Sequence, residues 1–479
     1  MNLWRKYKDM PIQAKASIWY TICNFFQKGI SFLVVPVYVR LLTTAEYGEW
    51  AVFQSWSEIL IIFASLNLFA GVYTKKLVDM TNEKDRNQYT ASMQGLGTTV
   101  TIALFIVYSL AHEWSNKIIG LDTPYILLLF LYFIVYPALC FWSTRQRVEY
   151  RYRSMVAITA LISVLTPITS IALLYYTNLR AKSLILGFLA IQCIFGTFLY
   201  FYHFYKGKCF FHKEHWLYAA RFNVPLIPHY LSLIILAQSD RIMIKYFCGE
   251  SDAGIYSFAY QIALTINVLI SAINGSRVPW TYEQLKARIY TKLKNVTNVL
   301  VILIGAVSIV FSLFSPEIIG ILGTADYKIA TYVIPIVVLG IFFTFVYDLY
   351  AAVEFYYGAT RFVMYASTTG AILNIVLNLI FIPTFGFIAA AYTTLTCYIV
   401  FMLTHFLFYK KVISAEKLNE QVYDNNFIFL SLLVISIICL ASMATFEHYT
   451  IRLFLTSIIV MACFFKRKTI KNLFSTISR

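Results

Sequence analysis

Charge is what this sequence holds least of: Asp, Glu, Lys and Arg make up only 13% of its 479 residues, against about 25% in soluble proteins. That little charge does not cover the surface of the roughly three domains a soluble chain of this length would form. A soluble multidomain enzyme is therefore excluded. Disorder is excluded too, because it combines low hydrophobicity with high charge. Acid is scarcer than base: 23 Asp and Glu against 39 Lys and Arg leave a formal net charge of +16. In a soluble protein this excess would suggest nucleic acid, so its placement matters.

Other absences narrow the field further. The eight cysteines (Cys23, Cys140, Cys193, Cys209, Cys248, Cys397, Cys439 and Cys463) are far apart and form no CxxC pair. They read as small apolar packing residues rather than a disulfide framework. The polar, basic start MNLWRKYKDMPIQAKAS lacks a signal-peptide cleavage site, so the first apolar run is expected to stay as a span. No GxxxxGK[ST] occurs, so no ATP-driven motor is expected in the chain. GLGTTV (95–100) fails the dinucleotide pattern, and HKEH (212–215) lacks the i, i+4 histidines of a zinc helix. No cofactor, metal site or catalytic residue is expected.

Long apolar runs are what the sequence has. It is 59% hydrophobic and 18% aromatic, with a mean hydropathy of +0.69. A ruler of about 20 residues per span gives fourteen candidates: 16–39, 47–72, 91–111, 124–143, 154–177, 183–205, 222–247, 253–276, 295–315, 331–357, 362–382, 386–409, 426–445 and 450–465. The expected fold class is an all-α polytopic membrane protein of about 14 transmembrane helices. With the N-terminus in the cytoplasm, thirty of the 39 basic residues fall on inside segments and seven outside; Lys28 and Arg241 lie within spans. This asymmetry predicts cytoplasmic N- and C-termini and makes the net charge a topology signal, with no need of nucleic acid. The clusters TRQRVEYRYR (144–153) and YEQLKARIYTKLK (282–294) read as headgroup-facing anchors.

Two short similarities suggest a repeat. VRLLTTAEYGEW (39–50) and IKYFCGESDAGIY (244–256) each follow the first span of a half, with Gly48 and Gly254 206 residues apart. GFLA (187–190) and GFIA (386–389) open the sixth span of each half, 199 apart. Six spans per repeat imply two lobes related by a pseudo-two-fold axis along the membrane normal. The expected division is a six-helix lobe at 1–205, a linker at 206–221 and a second lobe at 222–409. A linker at 410–425, an extra helix pair at 426–465 and a basic cytoplasmic tail at 466–479 follow.

Ionisable residues inside a membrane are costly and face a cavity or a partner. In span one, Thr21, Asn24, Gln27, Lys28 and Ser31 share a helical face. Lys28 lies about 20 Å from the start of that span, too deep to snorkel, so it is either a lumen cation or an ion-pair partner of Glu58 in span two. Span two adds Gln54, Ser57 and Ser65; span eight Tyr260, Asn267, Ser271 and Asn274; span eleven Ser367, Asn374 and Asn378. These stripes either line a wet cavity or hydrogen-bond helix to helix. Asp240 and Arg241, near the outer end of span seven, read as a local charge pair or a gate. Arg277, Asp348, Glu354 and Arg361 read as interfacial, and Pro225, Pro228 and Pro335 as kinks.

KGISFLVVPVYVRLLTTAEYGEW (28–50) resembles the opening signature of the polysaccharide transporter branch of the multidrug/oligosaccharidyl-lipid/polysaccharide exporter superfamily. SDRIMIKYFCGESDAGIYSFAYQI (239–262) resembles its mid-chain signature, including the Asp-Arg pair. The resemblance implies two six-helix lobes, often with two extra helices, and a flippase of undecaprenyl-diphosphate-linked O-antigen or capsule repeat units in the bacterial cytoplasmic membrane. By position, Lys28 falls where related flippases place a basic lumen residue, and Arg241 on the arginine of the Asp-Arg motif.

For such a cargo, Lys28 and Arg241 are the expected phosphate-binding cations. Asn24, Gln27, Asn267 and Asn274 are the expected sugar-binding amides, and Glu58 and Asp240 the expected proton or sodium carriers. Expected partners are the polyprenyl-diphosphate-linked oligosaccharide, membrane lipids, and the polysaccharide polymerase and glycosyltransferases of the same pathway. A cation-coupled multidrug exporter of the same superfamily is the first alternative, favouring an acidic, aromatic cavity. A membrane-embedded glycan polymerase or acyltransferase is the second, disfavoured because no outside loop exceeds roughly fifteen residues, far below a typical domain.

Overall fold

A computed structural model of the chain describes residues 7, 9–416 and 420–465. The expected basic tail 466–479 and part of the expected 410–425 linker lie outside the described residues, as do the side chains of Arg361 and Cys463. In chain order the first α-helices are α1 (Ile12–Leu41), α2 (Thr44–Ser65), α3 (Val72–Asp79), α4 (Glu83–Leu110), α5 (His112–Ile119), α6 (Thr123–Val148), α7 (Tyr152–Tyr176), α8 (Ala181–Gly207) and α9 (Lys213–Asn223). They continue as α10 (Ile227–Cys248), α11 (Glu250–Ala263), α12 (Ile266–Ala287), α13 (Tyr290–Leu313), α14 (Ser315–Leu322), α15 (Ile334–Tyr356), α16 (Thr360–Phe385), α17 (Ile388–Ala415), α18 (Asn425–Ala441) and α19 (Tyr449–Phe465). No strand occurs among the described residues.

Local chemistry sets the ends of these helices. At α2, Thr43 Oγ1 accepts the Glu46 N–H at 3.3 Å while Glu46 Oε2 accepts the Thr43 N–H at 2.8 Å, a reciprocal capping box. Asn82 caps α4 by accepting the Lys84 N–H at 3.0 Å, and Asp424 caps α18 through the Phe427 N–H at 3.2 Å.

Twelve segments of the described chain are long and apolar enough to cross a membrane. α2 is not one of them, since Glu46, Glu49 and Glu58 interrupt its 22 residues; α19, at 17 residues, is too short. Both helices are nevertheless present where spans were expected. The outward faces are apolar: Ile194, Phe198 and Phe201 on α8, and Leu430, Leu433 and Ile437 on α18, are exposed. Stripes of this kind on many helices need lipid rather than water beside them. This is a multi-pass membrane protein with the expected all-α fold.

The chain forms two compact units, residues 1–34 with 49–238, and residues 35–48 with 239–479. In the first unit, Tyr73, Tyr89 and Phe141 pack with Leu68, Val72 and Met93, and the Tyr73 and Thr90 hydroxyls meet at 2.7 Å. The segment expected as a linker, 206–221, is mostly the packed helix α9. Its Trp216 donates Nε1–H to the Ser92 carbonyl at 2.9 Å. Asn223 donates to the Leu66 and Asn67 carbonyls at 3.0 and 2.9 Å, where the backbone leaves α2 with φ of 49° at both residues.

The basic cluster 144–153 divides in two. Arg147, Arg151 and Arg153 are exposed, as headgroup anchors would be. Arg145, by contrast, is buried, with Nε 2.8 Å from Glu149 Oε1. Glu149 also holds Arg86 at 3.3 Å and Arg151 at 3.1 Å. Arg145 is a structural residue.

In the second unit α15 is the core, buried along nearly its whole length, with α12, α13, α17 and α18 against it. The appended helices dock here: Arg452 of α19 pairs with Glu317 of α14 at 2.5 Å, and Phe446 meets Tyr332 with ring centroids 5.4 Å apart. The Gly48 motif packs on the Gly254 motif. The second expected repeat anchor is not equivalent in structure. Gly187 lies inside α8 against Ser170, whereas Gly386 ends α16 with φ of +76°.

Candidate functional site

In the first unit, α1 turns its polar face outward. Ser17, Thr21, Asn24, Lys28 and Ser31 are exposed at alternating spacings of four and three, and Gln27 is half-buried. Lys28 has no hydrogen bond or ion pair among the described residues. The ion pair with Glu58 that the sequence left open is therefore not formed. Glu58 is exposed on α2 beside Gln54, and its Oε2 accepts from Gln238 Nε2 at 2.5 Å. Gln238 Oε1 in turn accepts from Ser55 at 3.2 Å. Ser57 and Ser65, expected on the same stripe, turn back onto the Phe53 and Ile61 carbonyls of their own helix, the usual resort of a serine in an apolar span.

In the second unit, Asp240 is 1% exposed. Its Oδ2 accepts from the Tyr256 and Thr394 hydroxyls, each at 2.7 Å. Oδ1 accepts from Asn378 Nδ2 at 2.7 Å and Asn374 Nδ2 at 3.4 Å. Thr393 donates to Asn378 Oδ1, and Ser239 to Asn374 Oδ1 at 2.8 Å. The polar stripe of span eleven thus serves this carboxylate and lines no open face: Asn374 and Asn378 are both 0% exposed. A buried carboxylate is tolerated only with such a set of donors. Arg241, 7% exposed, stacks its guanidinium over the Tyr260 ring at 4.6 Å.

Asn267 is half-buried on α12. Asn274 is engaged at both ends of its amide: Oδ1 accepts from Arg277 Nε at 2.9 Å, and Nδ2 donates to Asp348 Oδ2 at 3.2 Å. It is therefore not available to a sugar. Arg277 and Glu354, expected at the interface, are buried at 2% and 0% exposure. Glu354 meets His405, also 0% exposed, at 3.0 Å. Sequence reading passed over His405, Thr393 and Thr394, because a lone histidine or threonine in an apolar run carries no periodic signal of its own. Among the described residues no three His, Cys, Asp or Glu side chains converge as a metal site would require.

An all-helical multi-pass fold with an exposed polar stripe that carries one lysine, and an enclosed acid, has matches among transporters. The chain superposes on the structure of "Lipid II flippase MurJ, inward closed conformation" with a TM-score of 0.64, covering 95% of this chain and 100% of that one at 16% identity. The fold, taken together with a family match over more than half of the chain, makes the protein a transporter of the multidrug/oligosaccharidyl-lipid/polysaccharide exporter superfamily. Residues 14–285 match the model described as "Polysaccharide biosynthesis protein", and the chain belongs to that family. Residues 225–380 also match the MatE model. Among relatives, it is 25% identical to "Lsg locus putative protein 1" of Haemophilus influenzae over 57% of this chain and 67% of that protein. It is 23% identical to "Probable low-salt glycan biosynthesis flippase Agl15" of Haloferax volcanii over 85% and 86% of the two chains.

Proposed function

We propose that this transporter is a flippase that moves a polyprenyl-diphosphate-linked oligosaccharide, in the bacterial case on undecaprenyl diphosphate, across the cytoplasmic membrane for O-antigen, capsule or exopolysaccharide assembly. The carrying observation is Lys28, a cation exposed on a polar helix face and without an ion-pair partner among the described residues. Holding such a charge in lipid costs about 2.5–3.5 kcal/mol on insertion scales, and a diphosphate offsets that cost. Asn24 and Gln27 beside it offer amides to sugar hydroxyls. Within the second unit, Asn267 remains the expected amide and Arg241, stacked over Tyr260, the expected phosphate-binding cation. Moving two phosphate charges outward down an inside-negative potential gains about 4.6 kcal/mol per 100 mV, so potential alone favours export.

Asp240 and Glu58 are the ion-coupling candidates in this reading. Asp240 is held by amide N–H and hydroxyl donors, and a proton or sodium ion on its carboxylate would replace part of that set. Transport indifferent to both proton and sodium gradients would remove that role. In this reading the N- and C-termini lie in the cytoplasm, the side on which glycosyltransferases would supply the cargo, and a polymerase would receive it on the other side.

The reading is tested by glycan display in a strain lacking the chromosomal copy. Lys28→Arg should sustain display and Lys28→Ala abolish most of it; full display by Lys28→Ala removes Lys28 from the substrate site. The MatE match over residues 225–380 favours a second reading, a cation-coupled drug exporter, which would survive Lys28→Ala but not loss of Asp240.

A further inference from the structure

The second unit holds an acid and a histidine to which the proposed cargo site gives no role. Glu354 of α15 and His405 of α17 are both 0% exposed. His405 Nδ1 lies 3.1 Å from Glu354 Oε1 and 3.0 Å from Oε2, so a single nitrogen serves both carboxyl oxygens. The other ring nitrogen, Nε2, is buried without a hydrogen-bond partner among the described residues. The ring of Tyr347 stacks on the imidazole at 5.3 Å and Phe401 meets it edge-on at 4.7 Å.

The charged surroundings are few. On α15 itself stand Asp348, Tyr347 and Tyr350; on α17, Tyr409 is packed near Tyr350. α12 brings Arg277, whose Nε is held by Asn274, itself bonded to Asp348. The segment before α18 brings Tyr423, bonded to the Leu349 carbonyl at 3.1 Å. α13 carries Lys292 and Lys294 only in its exposed or half-exposed first turns, and α18 has no acid or base. α16 carries Arg361 and Tyr365 near its start, outside the described side chains. Arg277 and Asp348 balance one another, leaving Glu354 and His405 to balance between themselves.

The buried carboxylate of the first unit, Glu149, is matched differently. Glu149 engages three arginines with its two oxygens. Glu354 has one donor atom, and a doubly protonated His405 would leave its Nε2–H without an acceptor. A charge-separated pair is poorly supported there, and the form with the proton on the carboxyl, donated to Nδ1, competes with it. Either way the neutral pair holds one exchangeable proton. Losing it, or gaining another, would leave an unbalanced charge at two side chains with no solvent exposure, at a large cost. Exchange therefore needs water to reach the pair.

We propose that Glu354 and His405 form a proton-binding site of the second unit, separate from Asp240, which exchanges its proton only when transport opens α15 and α17 to water. Along α17, His405 is about 16 Å from Thr394, the residue that α17 gives to Asp240, so the two acids belong to separate sites. The site makes the transport cycle proton-linked. It rests on the transporter class alone and not on the glycan cargo.

The direct test uses the full chain in lipid vesicles and protons as the only ligand. Infrared difference spectra across a pH series, with labelled glutamate and histidine, should show a carboxyl and an imidazole changing together in the same step. Glu354→Gln should remove both changes. In cells, wild-type display should vary by up to about tenfold per pH unit on one flank, and Glu354→Gln and His405→Gln should flatten that flank. Folded variants that keep the wild-type pH profile overturn the proposal. So does a wild-type spectrum without a coupled glutamate and histidine change, a result that stands even if the variants do not fold. Loss of display in Lys28→Ala with an unchanged infrared step would separate the cargo reading from this one.

Discussion

Gly48 and Gly254 close upon each other reciprocally. A Cβ on Gly48 would run into the Glu250 carbonyl oxygen and lie 2.9 Å from the Gly254 nitrogen. A Cβ on Gly254 would run into the Thr44 carbonyl oxygen and lie 2.9 Å from the Gly48 nitrogen. Each glycine meets the carbonyl four residues before the other, and Thr44 and Ser251 join their hydroxyls at 2.8 Å beside them. Contacts that exchange roles in this way are what a local two-fold axis produces. The first turns of α2 and α11 cross there, backbone on backbone.

Either glycine should therefore resist enlargement. Gly48→Ala and Gly254→Ala should each destabilise the protein by about 1–3 kcal/mol through overpacking against backbone, and Gly48→Leu by more. Thermal melts in detergent read this; unchanged melting of both alanine variants would show that the crossing is looser than described.

Asp240 anchors four helices through its hydrogen bonds. Asp240→Ala leaves Tyr256, Thr394 and Asn378 donors buried without an acceptor, about 1–3 kcal/mol for each group left unmatched. A melt should show a large loss, with Asp240→Asn intermediate. If the site also takes sodium, the wild type should gain stability as sodium rises and Asp240→Asn should not.

Arg452 fixes the appended helix α19 to the second unit. It is 3% exposed and depends on Glu317. Glu317→Ala alone should cost about 3–5 kcal/mol, because it strands a buried guanidinium. The double variant Glu317→Leu with Arg452→Met should be closer to wild type. Limited proteolysis near residues 442–448 reports the release of α19; equal cleavage of single and double variants would argue against the pairing.

Asn223 bridges α9 to the turn that follows α2. Asn223→Ala removes two donors from the Leu66 and Asn67 carbonyls and should cost about 1–2 kcal/mol. Hydrogen exchange should rise at 64–70 before it rises in α4. Uniform exchange would mean the turn holds without Asn223.

Much of this was legible in the chain. Apolar length alone located the helices, because a bilayer leaves each backbone group no partner but its own helix. The anomaly of Lys28 was legible too, since a lysine at that depth is out of place in lipid whatever surrounds it. What periodicity could not give was the difference between a polar residue that faces a cavity and one that faces another side chain. Asn24 and Asn378 stand on similar helical stripes; one is exposed on α1 and the other is enclosed on Asp240. Glu354 looked like an end-of-helix acid because its neighbours in sequence are aromatic and polar. Only the arrival of His405 from α17, 51 residues away, makes it a buried pair.

The sequence by itself determined that this is a membrane protein of many spans, and that Lys28 stands against the hydrophobic effect. These follow from composition and spacing along one dimension. Tertiary structure alone decided the partners: that Asp240 is enclosed by Tyr256, Asn374, Asn378 and Thr394, that Asn274 belongs to Arg277 and Asp348, and that Gly48 must be a glycine because Glu250 lies against it. Partnership across helices depends on which turns come within about 3 Å of one another, and packing sets that distance.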